Sequence, residues 1–195
     1  MKKIIMLLLF VFSFLVSANP VDAQIRIGTI LNVPNEIVDS AEELEKFNIK
    51  LTELFPADKY EVLPVQEMMA KEREYRRDKG IFQAPNQPTP PALSAEALRE
   101  LGKSNNCDYL MLIKQEYKEA VRMFVVSLPG TPEKKIALKT NIRIFNIETK
   151  QEKTLKEYKN RAGMRNDGNG LSQALLKAFD NFLNDLTIDP EKDIQ

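Results

Sequence analysis

Five consecutive apolar residues, Tyr109-Leu110-Met111-Leu112-Ile113, follow directly on Asp108. A strand with one wet face alternates apolar and polar side chains, whereas an unbroken apolar run needs cover on both faces. This segment therefore reads as the central strand of a sheet, reached through an Asn105-Asn106 turn. Any fold open to the chain must bury it.

The flanking segments supply the rest of the sheet and its helices. Ile25, Ile27, Ile30, Leu31 and Val33 surround Arg26, Gly28 and Thr29 in a first strand that stops at Pro34. Ser40 with Glu43 forms a capping box, and Leu44, Phe47, Leu51 and Leu54 recur at helical spacing as far as Pro56. A short strand over 60–65 precedes good helix formers over 66–79, with Met68 and Met69 near the start. The later part, 71–79, carries both charges and is expected to lie exposed before Gly80 ends it. Pro85, Pro88, Pro90 and Pro91 then stiffen a loop over 80–93, read as a spacer. Ser94 caps a short helix with Leu98 and Leu101 on one side.

After the central strand come strands over 120–126, 135–147 and 152–159. In the second, Ile136, Leu138, Ile142 and Ile144 share one parity, and Lys139, Asn141 and Arg143 take the other, so one face is wet. The third is charged, as an exposed edge should be. Asn166, Asp167, Gly168, Asn169 and Gly170 lead into a last helix with Leu171, Leu175, Phe179, Phe182 and Leu186 on one stripe. The order β-α-β-α-β-β-β-β-α predicts an α+β fold: a single mixed sheet of about 5–6 strands with helices packed on one face.

The amino terminus stands apart. Lys2 and Lys3 precede an apolar run over 4–16 broken only by Ser13, followed by small and turn-forming residues. This is the order of a secretory signal, and the run falls short of the roughly 20 residues a membrane-spanning helix needs. Val21-Asp22-Ala23 predicts cleavage before Gln24, with Val16-Ser17-Ala18 a second position. No cysteine lies near either position to carry a lipid. The mature chain is expected to be soluble in the periplasm or outside the cell. Roughly 170 residues remain after the signal, and they are expected to form one domain over 24–188 with a loose tail over 189–195.

Charge and rare residues narrow the chemistry. Basic and acidic residues balance at 28 each, so no whole-chain field recruits nucleic acid. Cys107 is the only cysteine, which leaves no internal disulfide and reads as a small buried hydrophobe. Histidine is absent, which excludes Ser-His-Asp and Cys-His centres. No nucleophile elbow or phosphate-binding glycine loop occurs, and no cofactor or metal is implied.

Three pieces of sequence resemble a known module. They are the first strand after the signal, the stretch from Ala97-Leu98-Arg99-Glu100-Leu101-Gly102 through Asn106-Cys107-Asp108-Tyr109-Leu110-Met111, and Ile142-Arg143-Ile144-Phe145-Asn146-Ile147-Glu148-Thr149-Lys150. Together they resemble the small α/β module shared by the TolB amino-terminal domain, the periplasmic part of the curli secretion channel and the lipoprotein activators of penicillin-binding proteins. Lys150 stands where that pattern has a turn glycine, and Cys107 where alanine or glycine is common. The resemblance implies an envelope protein that acts by contacting other envelope proteins, without a reaction of its own.

Candidate contact residues follow. Arg73, Arg76, Arg77 and Lys79 form a basic cluster on one predicted helix, and Asn166, Asp167 and Asn169 sit in a polar loop that could hold an ion. The leading expectation is a monomeric, non-catalytic interaction module of an extracytoplasmic complex. The alternatives are a small-molecule or ion-binding protein, and a carboxylate-based glycoside hydrolase using Glu116 with Glu119.

Overall fold

A chain that runs strand, helix, strand, helix, strand returns each time to the same end of its sheet, so its first strands lie parallel. In the computed structural model, which describes residues 24–84, 89–121, 134–164 and 170–194, β1 (Ile25–Asn32) pairs in parallel with β2 (Tyr60–Val62) on one side and β3 (Tyr109–Val121) on the other. β4 (Lys134–Asn146) and β5 (Glu152–Met164) add antiparallel, giving one five-stranded mixed sheet in the order β2-β1-β3-β4-β5. The fold is α+β, with β3 at the centre. The expected signal, residues 1–23, lies outside the described residues. No helix among the described residues is long and apolar enough to cross a membrane.

The helices are α1 (Asn35–Val38), α2 (Ala41–Leu54), α3 (Val65–Asp78), α4 (Ala95–Ser104), α5 (Gly170–Asp185) and α6 (Pro190–Asp193). Ser40 and Ser94 cap α2 and α4 by accepting from the backbone N–H groups of Glu43 and Ala97. Only half of the expected capping box forms, because the buried Glu43 carboxylate turns to Lys46 at 2.8 Å. Lys46 also reaches Asp180 at 3.1 Å, tying α2 to α5.

Helices cover the sheet on both faces, beyond the single face the sequence led us to expect. β1 sends its connection to β2 on one side, and β2 sends its connection back past β1 to β3; two right-handed crossovers in opposite directions use opposite faces. On one face Phe47 and Leu51 of α2 and Phe179 and Phe182 of α5 pack on Ile27, Leu31, Met111 and Ile113. On the other, Leu98 and Leu101 of α4 and Met68 of α3 pack on Ile30, Leu110, Leu112 and Phe145. One-sided cover holds only where β4 and β5 run beyond α4. There Ile136, Leu138 and Ala162 meet α5 through Ala174, Leu175 and Ala178.

The strand limits also differ from expectation. Residues 108–113 and 120–126 were expected to be separate strands, but β3 runs unbroken through Lys114-Gln115-Glu116-Tyr117-Lys118. Gln115 and Tyr117 take inward positions in this stretch, and Gln115 donates to the buried Thr140 hydroxyl at 3.0 Å. Residues 122–126 lie outside the described residues. β5 extends past the expected 159 to Met164, with a bulge: Ile142 pairs with Lys156 and Arg143 with Thr154, leaving Leu155 unpaired. The tail expected to be loose instead carries α6, with Ile194 at its end and Ile188 just before the tail both buried in the larger core. Apolar burial explains the correction, since two isoleucines outweigh a short run of charge.

A close approach between layers and a strained turn mark two positions. A Cβ on Gly28 would stand 2.9 Å from Cys107 Sγ, 3.0 Å from Met68 Cε and 3.1 Å from Leu110 Cδ1. Gly28→Ala must therefore displace three buried side chains, and we expect a loss of about 1–3 kcal/mol in urea denaturation. Lys150, in the turn from β4 to β5, is held at φ 61, a region where glycine is free of strain. Lys150→Gly should raise stability by about 1 kcal/mol in the same assay; an unchanged or lower midpoint would refute that strain.

Candidate functional site

Where successive parallel connections leave a strand in opposite directions, a crevice opens at its carboxyl end. Here the crevice lies at the end of β1, has a volume of about 300 Å³, and is lined by Leu31, Val38, Met69, Glu72, Arg73 and Arg76, with Pro90 and Pro91 across from them. Apart from Asp39, which follows α1, its charged side chains come from α3. Val65, Met68 and Met69 define the buried stripe of that helix, and continuing it at helical spacing reaches Glu72 and Arg76. Both are buried, contrary to the expectation that 71–79 lies exposed.

The pair is closed on itself and on the loop above it. Arg76 Nε and Nη2 both donate to Glu72 Oε1, at 2.9 and 2.6 Å, and Nη1 donates to the Pro91 carbonyl at 2.8 Å. Buried Asn32 donates from Nδ2 to the Pro90 carbonyl at 3.0 Å. Prolines have no N–H, so this part of the loop offers only acceptors, and the donors must come from the body of the protein. The later part of the Pro-rich segment, at Pro90 and Pro91, is thus a strap pinned by Asn32 and Arg76. Burial raises the Glu72 carboxyl above its usual range despite the opposing guanidinium of Arg76.

The arginines expected to act together are separated by helix geometry. Arg76 points into the crevice, and Arg73 lies exposed on its rim. Arg77 faces solvent and pairs along the helix with Glu74 at 3.7 Å and Asp78 at 3.6 Å. Lys79 lies over the Tyr75 ring and 3.4 Å from Glu100. Asn166, Asp167 and Asn169 lie outside the described residues. Beyond the crevice, Phe82 near the start of the Pro-rich segment is 74% exposed, one of two large apolar residues so placed among the described residues; the other is Ile49 on α2.

Other candidates have structural employment. An open depression of about 1050 Å³ lies at the opposite end of β1 and β3, beside Arg99, Cys107 and Asp108. Asp108 Oδ2 accepts from the Arg26 backbone at 2.7 Å, and burial pushes the Cys107 thiol up to about 11, so it is no nucleophile near neutral pH. Arg99 donates to the Lys150 carbonyl at 2.8 Å and stacks over Phe145. Glu116 is paired with Lys114 at 2.7 Å, which holds its carboxyl below the usual range. A glycosidase acid needs the opposite shift, so Glu116 is unsuited to the role.

Arg76→Ala should cost about 3–5 kcal/mol in urea denaturation, because it leaves Glu72 buried without its partner. The sign of its pH dependence is fixed as well. With its folded pKa raised further, Glu72 holds a proton that the unfolded chain releases above about 4.5. The variant should therefore lose stability as pH rises from acidic toward neutral, more steeply than the parent; a parallel pH profile would show that Glu72 is not the titrating group.

No protein-family model matches the chain, and no curated protein matches it. Among solved structures it is similar to lipoprotein GNA1162 from Neisseria meningitidis, at 15% identity over 83% of this chain and 99% of that one, with a TM-score of 0.42. It is also similar to the hypothetical protein CT253 from Chlamydia trachomatis, at 14% identity over 84% and 95%, TM-score 0.36. A third is the LpoB C-terminal domain from Salmonella enterica, at 13% identity over 76% and 90%, TM-score 0.34. At these identities and scores the similarities carry no functional conclusion.

Proposed function

We propose that the chain is an exported, non-catalytic interaction module of an extracytoplasmic assembly, and that the Pro-rich segment with its pinned strap is the part that meets a partner. The observation that carries this reading is the use made of the crevice. Its buried ion pair holds the strap rather than facing open space, and the same Pro-rich segment carries Phe82 at 74% exposure. An exposed aromatic ring offers a large apolar area for a partner to bury, and aromatic residues are among the usual anchors of interfaces. The export pattern of residues 1–23 supplies the compartment.

A photo-crosslinking residue at position 82 in intact cells should capture a discrete partner. The same residue at position 49, equally apolar and on α2, should not. Capture should weaken when Arg76→Ala frees the strap, under conditions where that variant remains folded. Equal adducts from both positions would remove the strap from the reading. A second reading, a small anion held at the rim by Arg73, is favoured by the place of the crevice at the switch between β1 and β3. Melting temperatures that stay flat across a panel of phosphates and carboxylates would eliminate it.

A further inference from the structure

Past Asn32 and Lys114, the last register pair of β1 and β3, the sheet continues as β3, β4 and β5 alone. The stretch of β3 beyond that pair, residues 115–121, spans about 23 Å. One face of this extension is covered by α5. The other carries no helix among the described residues, and strand alternation turns the polar side chains of β4 toward it.

The register on that open face is simple. Lys118, Ala137 and Arg161 stand side by side; Glu116, Lys139 and Lys159 form the next row; Lys114, Asn141 and Glu157 form the third. Five cations therefore share three rows with two carboxylates. Glu116 is taken by Lys114, and Glu157 is shared by Lys139 at 2.9 Å and Lys159 at 3.2 Å. No carboxylate pairs with Lys118 or Arg161 in the ion pairs of the described residues. The whole chain is neutral, with 28 charges of each sign, so the excess in these rows is offset by acidic residues elsewhere in the chain.

The composition of the face selects its occupant. Ala137 is the only apolar side chain in these three rows, whereas protein interfaces are built around large apolar or aromatic anchors and are poor in lysine. A planar array of phosphates needs no such anchor. It attracts lysine and arginine through its surface potential, most strongly when all of them lie on one side. We propose that this face docks the protein reversibly on the headgroup layer of an anionic bilayer. The proposal goes beyond the strap and stands or falls separately from it.

The test is co-sedimentation of the mature chain with vesicles of equal parts phosphatidylglycerol and phosphatidylcholine, beside vesicles of phosphatidylcholine alone, at low salt. Binding is expected only to the anionic vesicles and should disappear at high salt. Lys118→Gln with Arg161→Gln should lower the partition coefficient about 30-fold. Lys50→Gln with Lys177→Gln, the same charge change on α2 and α5, the helices on the opposite side of the sheet, should alter it less than about 3-fold, because charges beyond a screening length contribute little. The proposal is overturned if the parent protein does not sediment, or if the two double variants lose binding equally. It is also overturned if inorganic polyphosphate binds while vesicles do not, which would make the face a polymer site.

Discussion

β3 is hydrogen-bonded along both edges, in parallel to β1 and antiparallel to β4, and buried on both faces from Leu110 to Ile113. The two apolar cores meet across this strand, Met111 and Ile113 belonging to one and Leu110 and Leu112 to the other, as they do across β1 through Ile27 and Leu31 against Ile30. Each such side chain contributes about 1.5–3 kcal/mol by leaving water. A polar residue placed here would weaken the layer that its side chain enters. The crevice, the strap and the open face are all set out from this strand, because β1 ends beside its middle and β4 copies its length.

The charged groups divide by depth. Glu72 and Arg76 are buried and mutually satisfied, so they hold a particular backbone arrangement and are costly to break. Pairs such as Lys139 with Glu157 lie in water, where each contributes little to stability, and their value lies in the field they leave over the surface. Lys46 stands between these extremes. It is partly exposed, yet it joins the buried Glu43 to Asp180 on another helix, and that pairing holds its ammonium above the usual lysine range.

Sequence pattern revealed elements whose side chains follow one period throughout. The unbroken run of β3, the alternating β4 and the serine caps of α2 and α4 are examples. It failed where polar residues occupy interior positions. Gln115 and Tyr117 made the second half of β3 resemble a connection, and only partners such as Thr140 show that it is strand. Glu72 and Arg76 looked like part of a solvated face, although their four-residue spacing in phase with Met68 and Met69 carried a signal. The pinning of Pro90 and Pro91 left no mark, because acceptor carbonyls are common to every residue type and their donors lie far away in the chain. Helices on both faces were implied by the apolar run of β3 and were missed when element order alone was read.

The bulge at Leu155 has a consequence for life at high concentration. β5 is a thirteen-residue strand at the end of the sheet, and an edge strand of that length is a template on which identical strands can stack into fibres. On either side of Leu155, however, the free backbone groups of β5 are one residue out of phase. An incoming strand in register with residues 156–164 is out of register with 152–154, so pairing cannot zip along the whole edge. A single extra residue thus acts as a stop against filament growth.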